Sequence, residues 1–288
     1  MATRYSTISF LTDYGTADEF VGVVRSVIRS IAPDVAVIDV THDVPAHDVR
    51  AGGLTLARAA QYLVPGVVLA VVDPGVGTDR RAIAVEVGDG ASVLVGPDNG
   101  LLAPAVAMVG GATRAVELTN TELHLPAPGP TFDGRDVFGP VAAHLCNGVD
   151  LLELGREIDP IGLRPGLIPV AREEDGGIAA DVLWVDRFGN AQLNVDPDDI
   201  ADWGDRVRLR IGDTTRVAVR ARAFADLGTA EVGLVVDSYG LLALVVDQAS
   251  AADELRIDAG DAVTLLPIPD DEVGGGVSSP VTLTRRER

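Results

Sequence analysis

Apolar residues in the first half of the chain gather into short unbroken runs, and in the second half into shorter alternating ones. The runs over 6–12, 35–40, 67–73, 82–87 and 92–96 are rich in β-branched residues and bounded by Gly, Pro and Asp. That is the pattern of buried strands. Between the first two runs, Phe20, Val23, Val24, Val27, Ile28 and Ile31 recur three and four residues apart, which predicts a helix ending at Ile31 with Asp18 as its N-cap. The alanine- and leucine-rich stretch 49–63 predicts a second helix that stops before Pro65. Strands alternating with helices imply an α/β domain with a mostly parallel sheet flanked by helices.

Around 150–172 the texture changes to a Pro- and Gly-rich stretch, read as a linker. Beyond it, IAADVLWVD, RVRLRIG, TTRVAVRA, AEVGLVVD, LLALVVD and DAVTLLP are separated by turns such as GDTT and DSYG, leaving little room for helices. A smaller all-β, barrel-like C-terminal domain is expected. The boundaries read as 1–165 for the α/β domain, 172–270 for the barrel and 271–288 for a flexible tail.

Composition narrows the partners. The 288 residues carry 43 acidic against 23 basic side chains, a net charge of −20, and 47% are apolar, enough for two packed cores. Such an acidic surface repels phosphate backbones and anionic lipid. The chain contains no lysine, so Schiff-base and P-loop lysine chemistry are excluded. A lone Cys146 forms neither an internal disulfide nor a zinc motif. No leader pattern and no apolar run of the ~20 residues that span a bilayer is present. The expectation is a cytoplasmic protein with no nucleic-acid or membrane partner.

Ligands of open α/β sheets sit outside the carboxyl ends of the strands. Here those ends are acidic. The first supplies Asp13 and Asp18, the second Thr41, His42, Asp43 and His47, and the third Asp73, Arg80 and Arg81. Singly, each acid is accounted for by a turn or a cap; together they describe a crevice. VGPDNGLL adds Asp98 and Asn99, and TFDGRD adds Asp133, Arg135 and Asp136, the last a candidate N-cap for the helix that follows. In the second half Asp186, Phe188 and Asn190 lie in VDRFGN, and Asp237, Ser238 and Tyr239 in DSYG. HExxH, EF-hand, GxSxG and dinucleotide fingerprints are absent. No metal is expected.

SFLTDYGTADEFVG, THDVPAHDV, VVDPGVGTDRR, VGPDNGLL, TFDGRDVFGPVAA, VDRFGN and DSYG occur in this order over most of the chain. In that order they resemble the S-adenosylmethionine (SAM) hydroxide adenosyltransferase family, relatives of the fluorinases and chlorinases. The resemblance implies an α/β domain followed by a β-barrel. It also implies a homotrimer with sites at subunit interfaces, and attack of water or hydroxide on C5′ of SAM to give adenosine and L-methionine. SAM would be the substrate, with no cofactor.

By the same resemblance Asp13 would hold the ribose hydroxyls, Asp18 and Asp186 the methionine ammonium, and Ser238, beside Tyr239, the amino-acid end. Asn190 and Phe224 would contact adenine, and His47 takes the place of a stacking aromatic in fluorinases. The family's Asp, Arg and His set maps onto Asp73, Arg80 and position 133. There this chain departs from the pattern: the usual TFHGRD reads TFDGRD, so Asp133 replaces the histidine. Two alternatives remain open at this stage, a chlorinase-type halogenase and a non-catalytic SAM or adenosine binder. Against the first, fluorinases carry an insertion that this chain lacks, and halogenating relatives carry tyrosine where Asp73 stands.

Overall fold

The computed structural model describes residues 4–269. The expected tail over 271–288 lies outside the described residues. The chain divides into two compact units, Met1–Ile168 and Pro169–Arg288.

In the first unit the elements follow as β1 (Thr7–Thr12), α1 (Phe20–Ile31), β2 (Ala36–Thr41), α2 (Val49–Ala60), β3 (Val67–Val71), β4 (Ala82–Val87), β5 (Ser92–Pro97), α3 (Ala103–Met108), β6 (Ala112–Glu117), α4 (Gly139–Cys146) and β7 (Arg156–Ile158). Seven strands form one sheet in the order β2-β1-β3-β5-β4-β6-β7. Its core follows the period of two along each strand. In β3, Val67, Leu69 and Val71 face one way and pack with α1 and α4 through Val24, Ile28, Val141 and Leu145. Val68 and Ala70 face the other way, toward Leu56 of α2 and Ala105 of α3. The result is a three-layer sandwich with β1 and β3 buried on both faces.

Three sequence expectations are corrected here. Only β2, β1, β3 and β5 pair in parallel; β4, β6 and β7 add antiparallel. The cause is length: residues 88–91 between β4 and β5 are too few for a crossover, so the chain returns as a hairpin. Asp18 does not cap α1; the cap position is Glu19, with no side-chain hydrogen bond. In contrast, Asp48 caps α2 by accepting from Ala51 N at 2.9 Å. Finally, the segment read as the start of a linker contains β7, whose Arg156–Ile158 extends the sheet edge.

The second unit contains β8 (Arg172–Glu174), β9 (Gly177–Val185), β10 (Ala191–Leu193), β11 (Arg206–Ile211), β12 (Thr214–Arg220), β13 (Val232–Val236), β14 (Leu242–Val246), the short α5 (Ala251–Leu255) and β15 (Ala262–Pro267). The order β10-β14-β13-β12-β11-β15-β9 closes through a β9–β10 pairing into a seven-stranded barrel, with β8 appended to β9. Closure removes the open edges of a sheet. Alternate residues fill the interior, among them Ile178, Ala180 and Val182 of β9, Val207 and Leu209 of β11, and Leu242 and Leu244 of β14. The two-residue turn at Gly212, φ +54°, joins β11 to β12 as the GDTT signal predicts.

No helix among the described residues is long and apolar enough to cross a membrane. The first core tolerates little loss of volume: Phe10, fully buried in β1, packs edge-on against the His42 ring at 4.8 Å. Phe10→Ala is expected to lower the stability of the first unit by about 3–5 kcal/mol, measured by denaturant unfolding.

Candidate active site

Strand ends converge on one cavity of the first unit. Asp13 follows β1, Asp73 follows β3, and Asp133 precedes a single π-helical turn, Gly134–Phe138, that leads into α4. With His47 these residues line a cavity of about 250 Å³. A register shift between Phe10 and Leu11 ends the regular β1–β2 pairing just ahead of Asp13. Two further bonds hold that corner: Thr12 Oγ1 lies 2.8 Å from His42 Nδ1, and Gly15 N–H donates to the His42 carbonyl at 2.7 Å. His42 Nε2 faces Asp39 at 3.1 Å, and burial lowers the imidazole pKa. His42 is therefore part of the scaffold. His47 adopts φ +67°, and its backbone N–H donates to Asp13 Oδ2 at 2.8 Å. A non-glycine residue in this conformation is strained, and such strain gathers at functional sites.

Arg80 is the centre of charge. Its Nε donates to both oxygens of Asp73, at 3.0 and 2.9 Å, and its Nη2 donates to Asp73 and to Asp133. The Phe138 ring supports the guanidinium from 5.2 Å. The side chains of Arg80, Asp73 and Asp133 are 10%, 6% and 19% exposed, so water screens their interaction poorly. Burial disfavours the Arg80 charge, but the bonds and charges of Asp73 and Asp133 outweigh it and raise the pKa above its ordinary value. A permanently charged, oriented cation results.

The neighbouring strand end braces this group. Asn99 Nδ2 donates to the Val72 carbonyl at 2.9 Å, one residue before Asp73, and Asn99 Oδ1 accepts from Leu101 N at 3.1 Å. Asp98 is buried and held by Arg81 Nε at 2.8 Å and Arg164 N at 2.8 Å. The PDNG block is thus supporting structure rather than a ligand set. Asp136 does not cap the following helix: its carboxylate binds Arg135, at 2.6 and 2.9 Å. Asp18 is exposed and is not among the residues lining the cavity.

Sequence reasoning missed the aromatic wall. Tyr14, Phe20 and Phe132 meet with centroids 5.2–5.9 Å apart and line the same cavity. The signal was their position inside the TDYG and TFDG blocks, in a chain only 4% aromatic. Burial, then the charges of Asp13, Asp73 and Asp133, push the Tyr14 hydroxyl pKa far up, so it acts as a neutral dipole.

A second cavity, about 370 Å³, lies in the barrel unit and brings together Asp186, Asn190, Phe224, Ser238 and Tyr239. Asp186 is already engaged: Oδ1 accepts from Phe188 N at 2.8 Å and Asn190 N at 2.9 Å, and Oδ2 from Asn190 Nδ2 at 2.8 Å. Trp184 and Gln192 join this cavity unforeseen, beside Asp237 of the DSYG block. Gln192 donates to Asp237, while Trp184 packs edge-on against Tyr239 at 6.4 Å. Among the described residues, no group of three or more His, Cys, Asp or Glu is placed to hold a metal ion.

The profile of the SAM hydroxide adenosyltransferase N-terminal domain matches residues 8–155, and that of the C-terminal domain matches 180–264. The chain belongs to the SAM hydroxide adenosyltransferase family. A protein named (R)-S-adenosyl-L-methionine hydrolase from Salinispora tropica is 46% identical over 88% of this chain and 95% of its own. Another of that name from Thermus thermophilus is 39% identical over 90% of this chain and 99% of its own. A fluorinase from an Actinoplanes species is 28% identical, over 90% and 96%. Among solved structures, an uncharacterized conserved protein from Thermotoga maritima has a TM-score of 0.84 at 35% identity, covering 90% of this chain and 99% of that one.

For this SAM hydroxide adenosyltransferase, the matched N-terminal segment contains Asp13, Asp73, Arg80 and Asp133, and the C-terminal one all five barrel-cavity residues expected from sequence. Gly134 fixes the distance between the two walls of the first cavity: a Cβ there would lie 2.1 Å from the Tyr14 hydroxyl. Gly134→Ala is expected to destabilise the first unit by about 1–3 kcal/mol. Adding Tyr14→Phe should recover part of that loss, a coupling that a double-mutant cycle of unfolding free energies measures.

Proposed function

We propose that this chain hydrolyses SAM, water attacking C5′ of the ribose to release adenosine and L-methionine. The observation that carries the reading is the Arg80 guanidinium held between Asp73 and Asp133 at a cavity that also presents Asp13. Sulfur in SAM is a cation and leaves as a neutral thioether, so the bond to break is already activated. The nucleophile is the demanding part. Free water, with a pKa of about 15.7, supplies almost no hydroxide at neutral pH. A fixed cation beside it stabilises the negative charge that grows on oxygen, and prior alignment opposite sulfur lowers the entropic cost. Asp73 holds the guanidinium in place, Arg80 polarises the water, and Asp133 orients it and accepts its proton.

Around this centre Asp13 accepts from the ribose hydroxyls, with His47 above the sugar. Asp18 and Asp186 serve the methionine ammonium, Ser238 and Tyr239 the amino-acid end, and Asn190 and Phe224 the adenine. A carboxylate is the right partner for a substrate that carries a sulfonium and an ammonium. No cofactor is needed for this displacement. The Asp73 carboxylate beside the nucleophile position opposes a halide there, which favours water over chloride.

The first cavity falls below the ~300 Å³ typical of small-molecule sites, which supports a site completed by a second copy. We infer a homotrimer in which a first-unit cavity and the barrel-unit cavity of a neighbouring copy share one SAM. Light scattering of the purified protein should give three times the 29.9 kDa chain mass; a monomer would exclude the shared site.

Incubation with SAM should release adenosine and methionine in equal amounts, followed by chromatography. Chloride-rich buffer should yield no 5′-chloro-5′-deoxyadenosine. Binding without turnover would instead mark a non-catalytic SAM binder. Arg80→Lys is expected to lose roughly a hundredfold or more in kcat, because an ammonium cannot bracket two carboxylates as a planar guanidinium does.

A further inference from the structure

The aromatic wall of the first cavity carries one polar atom. Tyr14, Phe20 and Phe132 pack with ring centroids 5.2–5.9 Å apart, and a phenylalanine at position 14 would serve that packing equally well. The Tyr14 hydroxyl needs a separate account. Among the described residues it has no hydrogen-bond partner, although the Tyr14 backbone N–H is anchored on Thr12 Oγ1 at 3.2 Å. The hydroxyl oxygen lies against Gly134, the residue that follows Asp133, in the space where a side chain at 134 would begin. Tyr14, Asp73, Asp133 and Gly134 all line the same cavity. The fold thus keeps a glycine to make room for a hydroxyl that no described residue receives. A polar group set in a cavity wall without a protein partner calls for a ligand.

The bonding directions of water say which ligand. A water molecule has two O–H bonds and two lone pairs. In the hydrolysis proposed above, one lone pair attacks C5′, the other accepts from the Arg80 guanidinium, and one proton goes to Asp133. One O–H is left without an acceptor. Both Asp73 oxygens already accept from Arg80 Nε, at 3.0 and 2.9 Å, and Asp13 Oδ2 accepts from the His47 N–H at 2.8 Å. Thr131 and His47 line the cavity but are exposed. The Tyr14 oxygen, wedged beside the residue after Asp133, is the acceptor that remains, since a phenol both donates and accepts.

We propose that Tyr14 is a further catalytic residue, its hydroxyl oxygen accepting from the O–H of the attacking water that is not transferred. This rests on the hydrolase reading and deepens it. With both O–H bonds and one lone pair held, the last lone pair is aimed at C5′, the alignment that speeds displacement. As oxygen bonds to C5′, the C5′–S bonding pair leaves on sulfur. One water proton passes to Asp133 and later to solvent. The other stays on oxygen, hydrogen-bonded to Tyr14, as the 5′-hydroxyl proton of adenosine. Tyr14 itself neither gains nor loses a proton. Burial, and after it the charges of Asp13, Asp73 and Asp133, hold its pKa far above the ordinary 10, so it stays neutral throughout.

Tyr14→Phe removes the hydroxyl and keeps the ring. Its kcat for adenosine release should fall about tenfold to a hundredfold, with KM and the thermal melt unchanged. A relocated hydroxyl supplies the second arm. Once the Tyr14 oxygen is gone, a Cβ at 134 has the ring carbon Cζ of residue 14 at 3.1 Å and the Phe132 ring at 3.4 Å as its nearest neighbours, so a small side chain fits with slight adjustment. Tyr14→Phe with Gly134→Ser should therefore regain turnover that Tyr14→Phe with Gly134→Ala does not. A Tyr14→Phe enzyme that keeps its kcat, whether or not KM or the melting temperature moves, overturns the role. A Gly134→Ser double variant no faster than the Gly134→Ala one overturns it as well. In both cases the wild type still releases adenosine; a wild type that releases none overturns the hydrolase reading on which the role depends.

Discussion

A guanidinium taken out of water must be matched by anions, and in this protein that requirement organises the first unit. Arg80 is reached by Asp73 from the end of β3 and by Asp133 from the turn ahead of α4, with Phe138 beneath it. Removing either acid would leave a poorly solvated charge, so the three side chains hold one another and the loops that carry them. Asp73 can stand there because β3 runs through the middle of the sheet, buried on both faces. Asp133 can stand there because the π-helical turn brings the chain back beside Tyr14, where only glycine fits at 134. The packed core is thus what fixes the spacing of these three side chains.

Electrostatics at larger scale agree with this local picture. A chain with net charge −20 draws a cationic substrate toward it and keeps polyanions away. At the first cavity the charges are not all of one sign: Asp13, Asp73 and Asp133 line it, and the Arg80 guanidinium is bonded to the last two. The hydrolysis proposed above, with a positive sulfur and a nucleophile that gains negative charge, would use that division.

Much of this was legible in the sequence, and the illegible parts share a cause. Strand runs and the acids at their ends are local patterns, so β1, β3, Asp13 and Asp73 could be read directly. Direction of pairing is not local. Ala82–Val87 looks like any buried strand, and only the shortness of the link to Ser92 betrays that it runs backward. Asp18 satisfied the composition rule for a cap, yet the helix begins after Glu19 without one. Tyr14 and Phe132 were overlooked because aromatic residues ordinarily report packing, and their meeting across the cavity depends on two distant segments.

The brace at Asn99 has a consequence for motion. Its side chain connects the chain just ahead of Asp73 to the start of the segment leading into α3, so two neighbouring corners of the sheet are rigid only together. Corners of this kind open at lower free energy than the strands they join. A brief fraying outside β5 would therefore slacken the acid that grips the guanidinium while the hydrophobic layers stay intact. The lifetime of the competent geometry is set by a few polar bonds on a loop, and the protein can lose function long before it loses its fold.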